Sequence, residues 1–162
     1  MIDPRSAEGR DRLVAALGIR RWVDEVAGGA PYADMDALVA AGELAAGTIT
    51  DAELDEAVAH HPRIGQQATG DGASSRLSHS EQAGLGAQDE GTDAAIAKGN
   101  EVYERRFGRV FLIRAAGRSR LEVLDELQRR LKNDEATETQ EAKEQLRQIA
   151  SLRLAALFGE DA

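Results

Sequence analysis

The sequence predicts an all-α fold: one domain over residues 1–162, built as a compact bundle of about eight helices. Three observations carry this expectation. Ala, Leu, Glu and Arg are abundant while aromatic residues make up only 4% of the 162, a balance that favours helix over strand by intrinsic propensity. Only three prolines interrupt the chain. A single run, VFLIRA at 110–115, has β-like character; one strand cannot make a sheet, so it is expected as a buried extended connector.

The elements come in order along the chain. From about Arg10, Leu13, Val14 and Leu17 form a short amphipathic stretch, continued after Gly18 by Trp22, Val23 and Val26 and stopped by Gly28 and Gly29. After a proline-marked turn at 30–32, Met35, Leu38, Val39 and Leu44 repeat at helical spacing up to Gly47. Thr50 and Glu53 form a capping box for a helix carrying Leu54 and Val58 as far as His60. It must end before Pro62, which pushes the preceding residue out of the α region. Residues 65–78, GQQATGDGASSRLS, are expected as a Gly/Ser/Thr-rich loop, and helix resumes with SEQAGLGAQDE and then from Thr92 to Gly108. Ser119 and Glu122 cap LEVLDELQRRL, with Leu121, Leu124, Leu127 and Leu131 as its seam and Asn133 as its stop. The last helix runs from about Glu135 to Phe158.

Composition narrows the function classes. With 42% hydrophobic and 30% charged residues, wholesale disorder is excluded. Twenty Lys+Arg against 29 Asp+Glu leave a net charge of −9, which argues against nucleic acid as a partner. The absence of cysteine removes disulfides, thiolate metal sites and cysteine nucleophiles. No apolar run approaches the roughly 18 to 20 residues of a membrane span, and the start MIDPRSAEGR lacks an export signal. A cytoplasmic protein with no membrane partner is expected.

Three groups of residues depart from this bland pattern. On the last helix the apolar face centres on Leu146, with Ala142, Ile149, Ala150 and Leu157 nearby, and Arg153 falls in its middle while Arg147 and Gln148 point away. Such an arginine is either paired to a structural carboxylate or snorkelling, or it lines a pocket and grips an anion. In HHPRIG, 60–65, Pro62 presents the His61 imidazole from a stiff backbone, as proton transfer requires; a histidine favoured by a helix C-terminus is the structural alternative. In SHSEQ, 78–82, Ser78 and Glu81 read as a capping box, or as a helix N-terminus offering N–H groups to an anion with Glu81 and Gln82 beside it. A metal site from His60, His61 and His79 is disfavoured, because adjacent histidines in a turn seldom converge on one ion and helical ligand spacing is missing.

Taken together, RRWVDEVAGGAPY, HPRIG at 61–65, SHSEQAGL at 78–85, NEVYERRFGRVFLIRAAGRS at 100–119 and RRLKNDEATE followed by EQLRQIASLRL resemble the decarboxylases of 2-oxo-4-hydroxy-4-carboxy-5-ureidoimidazoline (OHCU). The blocks come in that family's order over nearly the whole chain. The resemblance implies a cofactor-free, all-helical homodimer that acts on this small-molecule ureidoimidazoline and forms (S)-allantoin in urate degradation. It implies that His61 and Glu81 are catalytic, and that Pro62, Ser78, Gln82, the backbone of Phe111, Leu112, Ile113, Arg114 and Ala115, and Arg153 bind substrate, with no metal. The chain departs from the family at Ala30, Pro31 and Tyr32, where R-P-F is commoner, and at Arg109 and Val110 before Phe111, where F-P-F is commoner. The rival class is a non-enzymatic helical binding or scaffold module in which the histidine and arginine are structural.

Overall fold

The structure, a computed structural model, describes residues 1–59, 61–64, 73–86 and 89–159. Eight helices are present among them, with no strand beyond an isolated bridge that joins Ile2 to Tyr32. The all-α expectation holds. None of the described helices is long and apolar enough to cross a membrane. The helices gather into two units, residues 1–57 with 146 onward, and residues 58–145.

The first unit holds α1 (Ala7–Ala16), α2 (Arg20–Gly28), α3 (Met35–Ala46) and most of α4 (Asp51–Val58). Its helix starts are set locally. Ser6 accepts from the Gly9 N–H at 3.0 Å, and the Thr50–Glu53 box closes in both directions at 3.0 and 3.1 Å, satisfying N–H groups that a helix start leaves orphaned. Leu13, Trp22, Val26, Leu38 and Leu54 are buried, as are Leu146, Ile149 and Phe158 from α8 (Glu135–Phe158). Trp22 Nε1 donates to the Gly42 carbonyl at 2.9 Å. A Cβ on Gly42 would lie 2.7 Å from Leu154 Cδ1, so a larger residue there would displace the end of the Leu154 side chain. Arg147, expected to face solvent, instead donates from Nε to the Ala46 carbonyl at 2.8 Å and so satisfies an orphan acceptor in the last turn of α3.

The second unit holds α5 (Ala73–Ala83), α6 (Glu90–Phe107), α7 (Arg120–Arg130) and the first part of α8. Its core is Leu85, Ile96, Tyr103, Phe111, Ile113, Ala115, Val123 and Leu127, with Ile64, Phe107, Leu124 and Leu131 packed against it. Asp89 caps α6 by accepting from Gly91 N–H at 3.1 Å, and Gly108 ends it with φ 73°, its N–H donating to Glu104 C=O at 2.9 Å. That left-handed cap is why a glycine stands there. Residues 110–115 form neither helix nor strand, and Phe111, Ile113 and Ala115 enter the core.

Two sequence expectations are corrected here. Helix α5 begins at Ala73, so residues 73–78 are helical rather than loop, and it ends at Ala83, so residues 84–86 break the helix expected through SEQAGLGAQDE, with Gly86 at φ 90°. On α7, Leu121 is 61% exposed, and the buried face is Val123, Leu127 and Arg130. Of the expected leucine seam, Leu127 is buried and Leu124 and Leu131 pack against the core, while Leu121 lies outside it.

Candidate active site

His61 comes just after the last turn of α4, and its backbone N–H donates to Val58 C=O at 3.0 Å. Pro62 is next and both residues are half-buried. Two contacts from α6 hold Arg63 and Ile64. Asn100 Nδ2 donates to Ile64 C=O at 3.0 Å, and the Glu104 carboxylate accepts from Arg63 Nε and, at 2.9 Å, from Arg63 Nη2. That bond from Arg63 holds the Glu104 carboxyl below the usual carboxylate range. His60, residues 65–72 and the His79 side chain lie outside the described residues, and with them the three-histidine metal reading.

Ser78, Glu81 and Gln82 lie on α5 at i, i+3 and i+4, with Leu85 one further turn along, so they share one face. Ser78 is buried and Glu81 and Gln82 are half-buried, whereas Ser80 and Ala83 are exposed. Five residues of helix precede Ser78, so it caps nothing and SHSEQ offers no helix N-terminus. Both readings based on a helix start are corrected. The segment supplies a polar stripe that ends in a core leucine.

The 111–115 segment is held through its backbone. Leu112 C=O accepts from Arg130 Nη1 at 2.8 Å, Arg114 N–H donates to Gln145 Oε1 at 2.9 Å, and Arg114 C=O accepts from Arg118 Nε at 2.9 Å. Arg130 is in turn paired with Glu138, their side chains 1% and 0% exposed. Its Nε donates to both Glu138 oxygens at 2.9 and 3.2 Å, and its guanidinium sits 4.6 Å above the Phe111 ring. Tyr103 OH donates to Glu138 Oε1 at 2.5 Å. Burial, and then this bond to a carboxylate, push the Tyr103 hydroxyl well above the ordinary phenol range. Sequence reasoning missed this network, although Arg130 falls on the helical stripe of Val123 and Leu127.

Ile64, Leu85, Phe111, Ile113 and Ala115 therefore meet in one buried cluster. The segments that carry His61 and Pro62, then Ser78, Glu81 and Gln82, then the connector, converge on it. Arg153 belongs to the first unit, where it is 3% exposed and donates from Nη1 to Ala15 C=O at 3.1 Å. Its burial is as the helical wheel required, and at least one of its donors serves the backbone.

Residues 5–155 match the family model described as OHCU decarboxylase. The chain belongs to the OHCU decarboxylase family. Among curated relatives of this OHCU decarboxylase family member is the uric acid degradation bifunctional protein TTL of Arabidopsis thaliana, 27% identical over 157 residues, 95% of this chain and 48% of that protein. Another is the 2-oxo-4-hydroxy-4-carboxy-5-ureidoimidazoline decarboxylase of Amia calva, 38% identical over 96 residues, 58% of this chain and 55% of that protein. The chain thus spans about half the length of these two relatives. Its fold is similar to a crystal structure of an OHCU decarboxylase in the presence of (S)-allantoin, with a TM-score of 0.79 and 23% identity over 92% of this chain and 98% of that one.

Proposed function

We propose that the chain, acting as one domain over residues 1–162, decarboxylates OHCU to (S)-allantoin without a cofactor. The observation that carries this reading is the family match through residues 5–155. The shared core cluster supports it by anchoring the His61, Glu81 and 111–115 segments together. In the reaction the C4–carboxylate bond breaks and its electron pair enters the adjacent ring C=N. The ring nitrogen gains a proton, the 4-hydroxyl loses one as the carbonyl forms, and C5 gains one from a single face. The substrate's own C=N is the electron sink, so the protein's task is positioning and proton transfer.

The roles are those of the matching family positions. His61 donates one proton, an imidazole being able to serve as a general acid, and Glu81 takes the other. Ser78, Gln82 and Pro62 contact the ring and ureido groups, and the backbone of Phe111 to Ala115 holds their amides. Arg153 grips an anionic or carbonyl group. The enzyme is a homodimer in the cytoplasm, a state that light scattering after gel filtration checks.

The deciding experiment adds the protein to freshly made urate oxidation products and monitors circular dichroism. A rapid, optically active allantoin signal is expected; a trace no different from buffer overturns the reading. His61→Ala and Glu81→Ala should each cut the rate by roughly 10²- to 10⁴-fold and abolish stereospecificity while the far-UV helical signal stays. Wild-type turnover in either variant would remove that residue's role.

A further inference from the structure

We propose that helix α6 sets the position of the His61 imidazole, with Asn100 and Glu104 as positioning residues that act through Arg63 and Ile64. The proposal rests on His61 being the proton-transfer group. Asn100 and Glu104 are four residues apart on α6, so their side chains leave the same face one turn from each other. Each holds one of the two residues after Pro62. The amide takes the Ile64 carbonyl at 3.0 Å, and the carboxylate takes Arg63 through two donors, a grip that fixes orientation as well as distance. On the other side of His61, its own N–H is tied to Val58 C=O at 3.0 Å. The backbone is pinned before and after a dipeptide whose proline has a locked φ.

Packing alone does not account for Asn100. It is buried on a stripe with Ile96, Tyr103 and Phe107, where an apolar side chain would fill the space. Among the described residues its Oδ1 is buried without a hydrogen-bond partner, which is unfavourable for stability. The opposite amide orientation would set Oδ1 against the Ile64 carbonyl, so the side chain is held by its one bond to the segment that bears His61. A displacement of about 1 Å at a reacting group costs on the order of 100-fold in rate; a fixed turn therefore matters more to catalysis than to folding.

The test uses Asn100→Leu and Glu104→Ala in the full chain, with three readouts. Imidazole nitrogen resonances, assigned to His61 by their loss in His61→Ala, should shift or broaden in both variants. Steady-state kinetics should show kcat down on the order of 10-fold or more with KM within about twofold, the pattern of a lost transition-state interaction. In a His61→Ala background, Asn100→Leu should lower the residual rate no further. Unmoved His61 resonances, or an equal rate loss with and without His61, overturn the proposal. Moved resonances together with a His61→Ala enzyme of full activity would uphold the hold of α6 on His61 and overturn its proton-transfer role instead. Glu104 is near the surface, so its variant carries the test if the buried substitution fails to fold.

Discussion

Arg153 and Arg130 are both arginines on apolar helix faces, and they differ in what the surrounding chain does with them. Arg130 is closed off by Glu138, Leu112 C=O and the Phe111 ring, an arrangement that fixes structure. Removing one member of a buried ion pair strands the other charge, so Glu138→Ala should destabilise the protein by about 3–5 kcal/mol. Replacing the pair together, as Arg130→Met with Glu138→Leu, should recover most of that loss in a urea melt. Equal losses in the single and double variants would mean that the charge pairing is not the cause. Arg153→Met should raise KM at least about tenfold with kcat less affected, because a ligand grip shared by ground and transition states is lost. Collapse of the melting transition with KM unchanged would return Arg153 to a structural role. As Arg153 lies on the apolar face of α8, Arg130 shares the buried stripe of α7 with Val123 and Leu127, and Asn100 shares that of α6 with Ile96 and Tyr103.

Among the elements, those whose ends carry a strong local signal were legible. The Thr50 and Ser119 caps and the Gly108 stop lie where the sequence puts them, since a cap is a contact between residues two or three apart. The start of helix α5 was misjudged because three serines in ASSRLS follow a Gly-rich stretch and read as loop, whereas Ala73, Arg76 and Leu77 favour helix and burial of Ser78 and Leu85 adds to that preference. Close crossing of α6 and α7 rests on Gly99, where a Cβ would lie 2.5 Å from Leu127 Cδ2 and 3.1 Å from its Cγ. Gly99→Ala gains up to about 1 kcal/mol in helix propensity and incurs about 1–3 kcal/mol of overpacking. A net loss of up to about 2 kcal/mol is expected in denaturant melts, and Leu127→Ala in the same chain should couple with it rather than add. A stabilised Gly99→Ala would show that Leu127 yields without strain.

Over the whole molecule the acid side of the stability curve is set by arginine-bound carboxylates. Hydrogen bonds from Arg21, Arg63 and Arg129 hold Glu53, Glu104, Glu126 and Glu141 below the ordinary carboxylate range. A group whose pKa is depressed by folding adds stability above its unfolded value, about 4.3 for Glu, and that stability is lost as pH falls through the folded value. Each pair is partly solvated and worth no more than about 1 kcal/mol, so the effect shows as a sum. Tm should hold between pH 7 and about 5 and decline below about 4. A Tm that stays level to pH 3 would mean that these pairs contribute nothing.

The sequence by itself determined the helical class, the boundaries at Thr50, Ser119 and Gly108, the burial of Arg153 and, through five ordered blocks, membership of the family. These are local or cumulative signals, readable without knowing which segments touch. Only the tertiary structure decided that Ser78, Glu81 and Gln82 stand mid-helix on one face, and that Arg130 finds Glu138 and Asn100 finds Ile64, 8 and 36 residues away. A buried polar group takes whichever partner packing delivers, and packing depends on long-range contacts that no spacing encodes.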